Sequence, residues 1–458
     1  MSINCPLVIA AIFIAGIGGT FQYGYCVSVM TSPSTFIKKL VNKTCVHRYN
    51  LALEQWHLSL IWSFTVSIFC IGGLIGALVA GSLISKYGKR CLLLNNFLAI
   101  VGAMLMLFSQ TAMSFEMIMA GRFLCGINSI GLSAHTMYLV ECAPRQLREM
   151  VGVTIATFIS LGKFCGQLLG ISELLGTEKN WPWLLGFIMF TALFQLVTLP
   201  FLPESPHFLL FERGDRLTCE KLKRLWGNKD YSKEIEEMLK EKAAQQSVRS
   251  HSVLEVFRNP TVRWQLITIV VFFVTLQLCG INAVYFYSFE VFRAAGIVEH
   301  KLPYAALGTG LCELSTSVAF STGKKVLLFR GYVGMATTLA LLTVTLYLQR
   351  YLSWMPYCSM VLVFMFIFFF ACGPAGTVSL PGEIFTQAFR SAAYTIGCTI
   401  NWSGLFVLGM IFPVLFQGKL DSFCFVIFLF FCIVAGVYAN FLPETKNRTA
   451  LEIAVEFN

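Results

Sequence analysis

Two charges stand in the middle of long apolar runs: Lys163, between Val151 and Leu175, and Glu313, between Pro303 and Thr322. An ammonium or carboxylate at the centre of a bilayer costs about 2.5 to 3.5 kcal/mol on insertion scales, so each must face a partner or a water-filled cavity. The two readings, a Lys163 to Glu313 pair or two separately hydrated charges, stay open at this stage. A second set of charges marks the ends of apolar runs: Lys89 and Arg90, Glu141 followed seven residues later by Arg148, and Glu383 followed seven residues later by Arg390. Carboxylates and guanidinium groups at such ends can latch one face of a molecule shut and part when it opens; their plainer use is to fix topology. Covalent chemistry has no such support. The six His are dispersed, no nucleophile has an assignable base, no cluster has metal-ligand spacing, and no glycine loop suits a phosphate. Neither an enzyme, an ATP-driven pump, a metal site nor a bound cofactor is expected.

The elements that position these residues follow from composition. Of 458 residues 56% are hydrophobic and only 13% charged, against roughly a quarter charged in soluble chains, and the mean hydropathy is +0.70. A bilayer core of about 30 Å needs some 20 apolar residues per helix. Twelve such runs appear, in two sets of six. The first set is Pro6 to Met30, His57 to Ser85, Cys91 to Thr111, Phe115 to Tyr138, Val151 to Leu175 and Trp183 to Leu202. The second is Val262 to Tyr287, Pro303 to Thr322, Val326 to Leu348, Trp354 to Pro381, Ala392 to Phe416 and Phe423 to Leu442. The first run is too long, and lacks the basic start, for a cleaved signal peptide. Most of the 16 Cys fall inside these runs and act there as small hydrophobes, so they name no redox compartment.

Threading twelve spans puts Lys86, Lys89, Arg90, Arg145, Arg148, Lys324, Lys325, Arg390, Lys446 and Arg448 on one side, which the positive-inside rule makes cytoplasmic, together with both termini. The net charge of +10 is thus topological, and no nucleic-acid partner is expected; the partners are the lipid bilayer and a small solute. The loop with Lys38, Lys39, Lys43 and Arg48 disagrees, lying outside. It also holds Asn42-Lys43-Thr44, a glycosylation sequon compatible with that side.

The two sixes repeat each other. Gly88-Lys89-Arg90 recurs as Gly323-Lys324-Lys325, the Glu141 to Arg148 spacing as Glu383 to Arg390, and Pro203-Glu204-Ser205-Pro206 as Pro443-Glu444-Thr445-Lys446, at nearly equal offsets. Parallel six-helix repeats are an architecture of secondary transporters, with the solute site near the midplane. The expected fold is an all-α membrane protein of two six-helix bundles, 1–203 and 263–458. They are joined by a polar cytoplasmic linker, 204–262, whose stretch from Ser232 to Gln246 reads as a short exposed helix. Small-residue spacing at Gly72, Gly76 and Gly81 permits close helix packing in the second span. The Gly323 offset is shorter than the others, so the eighth span has lost residues at its cytoplasmic end, and the tenth reads about one residue short. A splice variant or a carrier with impaired gating would look like this.

Gln22-Tyr23-Gly24-Tyr25, Gly121-Arg122, Tyr138 with Glu141 and Pro144 to Arg148, Pro203 to Pro206, Gln277 to Ala283, Gly373-Pro374, Asn401-Trp402 and Pro443 to Lys446 together resemble the facilitative glucose and fructose transporter family of the major facilitator superfamily. The likeness runs over essentially the whole chain and is strongest to the second class, which holds fructose, glucose and urate carriers. It implies a central cavity, passive alternating access and a plasma-membrane location, and it adds Arg122, Glu204 and Glu444 to the cytoplasmic gate. By those motifs Gln277, Asn282, Tyr23, Tyr287, Asn401 and Trp402 fall where relatives contact substrate. Amides and phenols suit hydroxyls because each can donate and accept. Relatives' polar contacts are replaced by Ala156, Leu276, Phe370 or Ala371, and Leu405, while Lys163 and Glu313 bring charge to the cavity, the latter where many relatives have Asn. The leading expectation is facilitative transport of a hexose. The alternatives are a urate or other organic-anion carrier using Lys163, and a non-transporting sensor on the same scaffold.

Overall fold

In lipid every backbone polar group must be satisfied within the protein, which leaves apolar runs of this length no option but the helix. The computed structural model describes residues 6–143, 148–206, 209, 222, 225–227, 231–247, 249, 251–317, 324–417, 424–443 and 450–457. Among them each apolar run is helical. The helices along these runs are α1 (Pro6–Ser28), α2 (Gln55–Tyr87), α3 (Arg90–Leu107), α4 (Glu116–Leu139), α5 (Arg148–Leu169), α6 (Trp181–Phe201), α7 (Pro260–Phe286), α8 (Leu302–Ser317), α9 (Lys324–Leu348), α10 (Met355–Cys372), α11 (Gln387–Gln417) and α12 (Cys424–Asn440); among the described residues nine of them, all but α5, α8 and α12, are long and apolar enough to cross a membrane. The stretch that would extend α8, 318–323, lies outside the described residues, so the shortening read there stays open.

The first six helices form one bundle and the last six another. In the first, α1 lies along α5, α2 along α4, and α3 between α4 and α6; in the second, α9 lies between α10 and α12, and α7 along α11 and α12. The bundles meet along three seams, α2 with α11, α5 with α8, and the second half of α1 with the end of α7. Side chains turned to the bilayer are large and apolar, as Phe97 (61% exposed) and Phe430 (60%) illustrate. The inverse of a soluble surface is what a hydrocarbon solvent requires.

Several spans are interrupted where polar residues matter. The helix of α7 breaks at Gly280, whose φ of 91° suits only a residue without Cβ, and a Cβ there would also strike the Phe428 ring. The break puts Gln277 and Asn282 on adjoining turns of two short helices rather than on one regular helix. The run Trp354 to Pro381, expected as one span, divides at Gly373: α10 ends at Cys372 and a 3₁₀ turn, Pro374–Ser379, follows, because Pro374 cannot continue the helix. Of the three small residues in α2, Gly72 and Gly76 do admit the α4 backbone, at Phe123 and Ile127, but Gly81 faces open space.

A helix over Ser34–Tyr49 caps one face, here the upper one, tied down by Thr44 Oγ1 donating to the Met113 carbonyl (3.2 Å) and the Tyr49 hydroxyl donating to Glu116 (2.7 Å). The lower face carries the charged helix Ser232–Ser247, the short helix Val253–Arg258 and the helix Ala450–Phe457. His251 N–H donates to the Ala388 carbonyl (2.9 Å) at the foot of α11, and Trp226 Nε1 to the Cys142 carbonyl (2.8 Å).

Candidate functional site

The seam between α5 and α8 is polar along its length. Nearest the upper face the Tyr304 hydroxyl donates to Glu173 (2.5 Å); a turn lower Gln167 Nε2 donates to Thr309 Oγ1 (2.9 Å); below that Lys163 Nζ stands 3.0 Å and 3.2 Å from the two carboxylate oxygens of Glu313. Of the two readings left open by sequence, the ion pair is therefore the one realised. Lys163 is 6% exposed and Glu313 5%, so this is a buried pair. It is also a shared one. The Tyr285 hydroxyl donates to the same carboxylate, and the Lys163 ammonium sits 4.5 Å from the centre of the Tyr285 ring. Ser28 Oγ holds the Lys163 carbonyl (2.8 Å), and Thr31 Oγ1 donates to the Tyr285 carbonyl (3.0 Å). One cluster thus fastens α1 and α5 of one bundle to α7 and α8 of the other. Tyr285 was missed by sequence reasoning, although its place one turn after Asn282 was a usable signal.

Beside this cluster lies a chain of amides. Asn282 Nδ2 donates to Gln277 Oε1 (2.7 Å), and Gln277 Nε2 donates to Asn401 Oδ1 (2.5 Å), joining α7 to α11. Gln277 and Asn282 are buried and Asn401 is half-buried. Trp402 is packed edge-on to Tyr23 (5.7 Å between ring centres) and to Phe69 (5.9 Å), so an aromatic wall from both bundles adjoins the amides. A Cβ at Gly73 would run into the Trp402 ring, which is why α2 can approach α11 so closely. Tyr287 lies where α11 meets α2: its hydroxyl donates to the Gly409 carbonyl (2.6 Å), Ser63 and Ser67 of α2 adjoin it, and its ring stacks on Phe412.

At the lower face Lys89 Nζ donates to the Leu202 carbonyl (2.7 Å), and Glu204 accepts the Lys89 backbone N–H (2.9 Å), which fixes the foot of α3 to the end of α6. Burial pushes the Glu204 carboxyl above the usual carboxylate range, despite the opposing N–H donors and the nearby charges of Lys89 and Arg90. Arg390, half-buried at the foot of α11, reaches the Phe385 carbonyl (3.4 Å). The side chains of Glu141, Arg148 and Glu383, and the whole of Glu444, lie outside the described residues. Arg122 does not belong with this group, contrary to expectation. It stands about 9 Å into α4 from Glu116, the upper end, at 1.5 Å per residue. There it is buried, donates to the Cys26 (2.5 Å) and Val66 (2.9 Å) carbonyls, and lies over the Phe69 ring. The motif that suggested Arg122 carried no depth information; the direction of α4 supplies it. Asn42 is exposed on the upper face, while the Thr44 of its sequon is buried.

Comparison with known proteins decides what kind of molecule this is. A family model described as "Sugar (and other) transporter" matches residues 11–457. The chain belongs to the sugar transporter family. Within it, the chain is 44% identical to mouse (Mus musculus) solute carrier family 2, facilitated glucose transporter member 9, over 98% of this chain and 85% of that protein. It is 40% identical to member 5 of Bos taurus (98% and 91% covered) and 40% to human (Homo sapiens) member 11 (99% and 93%). Among solved structures, the partially occluded inward-open conformation of the E. coli xylose transporter XylE superposes with a TM-score of 0.79 at 20% identity, covering 97% of this chain and all of that one. The fold is therefore that of a major facilitator, and this sugar transporter family member is a multi-pass membrane carrier of small solutes rather than an enzyme. Hydrogen bonds and ion pairs join the two bundles in the middle and upper part of the molecule, from Lys38 with Glu290 (3.3 Å) down to Lys163 with Glu313. The upper face is shut.

Proposed function

We propose that the chain is a facilitative, alternating-access carrier of a neutral hexose such as glucose or fructose. The observation that carries this reading is the neutralisation of Lys163 by Glu313 at 3.0 Å, beside an amide chain that can exchange hydrogen bonds with hydroxyls. An organic anion such as urate needs a cation to replace its hydration, and Lys163 already has a counter-charge. A hexose needs donors and acceptors; Gln277, Asn282 and Asn401 supply both, and Trp402 and Tyr23 offer apolar faces to its ring. The bundles 1–203 and 263–458 would rock about this site, tethered by 204–262. The lower face would be cytoplasmic, with both termini on it, in the plasma membrane. Lys89, Arg90, Glu141, Arg148, Glu204, Glu383, Arg390 and Glu444 would form its gate, and Asn42 on the outer face would carry glycan. The experiment is uptake of labelled hexose against labelled urate in the same reconstituted vesicles. Hexose uptake inhibited by unlabelled hexose supports the reading; saturable urate uptake with none of hexose would reverse it.

A further inference from the structure

The Lys163 to Glu313 pair divides between the bundles: the ammonium rides on α5 and the carboxylate on α8. Alternating access must part these helices whenever the upper face opens, and must rejoin them whenever it shuts. On opening, water can solvate both charges. On closing, the seam is stripped of water, and whatever charge is sealed inside must balance to zero, because an uncompensated charge in a dry interior is far more costly than a matched pair. The Tyr285 hydroxyl and ring touch the pair, Tyr23 lies near Glu313, and the Ser28 and Thr31 hydroxyls are committed to the Lys163 and Tyr285 backbone carbonyls. No second acid or base among the described residues makes an ion pair with either member.

We propose that Lys163 and Glu313 form a charge filter that admits only solutes with no net charge. The inference rests on the hexose reading for the identity of the neutral solute, but not for the filter itself. An anionic sugar acid entering the open site would compete with Glu313 for Lys163 and strand the carboxylate at closure. A cationic amino sugar would compete with Lys163 for Glu313 and strand the ammonium. A neutral hexose leaves the pair free to re-form behind it. Specificity then comes from what the closing seam rejects rather than from a contact the favoured solute makes, a repulsive device of the kind binding sites use to exclude near-isosteres.

The filter is tested by removing its charges and measuring uptake of three labelled solutes, a hexose, a hexuronate and a protonated hexosamine, by the full chain in vesicles. Wild type should carry the hexose and take up the two charged solutes more than about a hundredfold less well, the factor expected for one stranded buried charge. Glu313→Gln leaves Lys163 as a lone cation and should gain hexuronate uptake. Lys163→Met leaves a lone anion and should gain hexosamine uptake. Should the single variants fail to assemble, Lys163→Met with Glu313→Gln, which seals no charge of its own into the seam, should gain uptake of neither charged solute. Hexose uptake by wild type accompanied by hexuronate or hexosamine uptake at similar rates overturns the filter and leaves the hexose reading intact. The expected exchange of charged solutes in the variants, with no hexose carried by any form, would support the filter while removing the hexose reading. Uptake of a charged solute by the double variant overturns it as well.

Discussion

Lys163→Met removes one half of a pair whose members are each 7% exposed at the side chain. Breaking a buried pair by deleting one partner costs about 3 to 5 kcal/mol, because the surviving charge stays in the interior. Glu313 keeps the Tyr285 hydroxyl as a donor, so the lower end, about 3 kcal/mol, is appropriate. The loss falls on the state in which the upper seam is shut, since opening hydrates the carboxylate. About 3 kcal/mol is roughly a hundredfold shift of the closed-to-open equilibrium toward open. The assay is the rate at which an impermeant thiol reagent labels a cysteine placed at Thr31, which is buried in the shut seam, in a background stripped of other reactive thiols. With Lys163→Met added, labelling from the upper side should accelerate by about that factor. Adding Glu313→Gln as well should return most of it, a coupling energy of about 2 kcal/mol or more between the two sites. Equal, mild and additive effects of the single changes, with coupling below about 0.5 kcal/mol, would refute the pair as a lock and leave two charges that water already serves.

Other consequences follow from the same geometry. Gln277→Ala leaves the Asn282 donor and the Asn401 acceptor without partners, so apparent KM for a hexose should rise by about tenfold, with kcat less affected, in initial-rate uptake; an unchanged KM would remove the amide chain from the substrate site. Arg148→Ala and Arg390→Ala should each lower transport more than surface expression and raise cysteine accessibility from the lower side; unaltered accessibility in both would count against a latch there. Because burial raises the Glu204 carboxyl pKa, the folded protein holds that proton more tightly than the unfolded chain does, and the stability this contributes is present at low pH and lost as pH rises through the folded value. Glu204→Gln should therefore remove a component of Tm that falls as pH rises above the ordinary carboxylate value, leaving Tm to climb more steeply with pH on the acid side, and an unchanged slope would place the titration elsewhere.

Hydropathy was enough to read the apolar runs as helices of a multi-span membrane protein, because lipid leaves the backbone so few alternatives. Lys163 and Glu313 were legible as a problem, being too costly to leave alone, yet whether they met was not. That depends on the approach of α5 to α8, set by Gly310 admitting the α5 backbone at Phe164 and by Gln167 reaching Thr309. Tyr285 escaped notice because an aromatic in an apolar run carries no sign of what its hydroxyl reaches; only the turn after Gly280 aims it at Glu313. Arg122 was misplaced for the opposite reason, since a motif fixed its neighbours in sequence but not its depth in α4. Tyr287 had its ring read as readily into substrate stacking as into the core, and nothing in the sequence signals that its hydroxyl reaches the Gly409 carbonyl, on a helix more than a hundred residues away.

Passive carriage of a hexose is tested most directly by counterflow. Vesicles holding the purified chain and a high concentration of unlabelled hexose are diluted into trace labelled hexose, with the pH gradient and membrane potential clamped at zero. A carrier that exchanges solute through one alternating site drives a transient accumulation of label above its equilibrium level, which then decays as the internal hexose runs out. That overshoot is expected here, with no change in lumenal pH. Monotonic entry to equilibrium, or accumulation that appears only when a proton gradient is imposed and vanishes in Glu313→Gln, would contradict it.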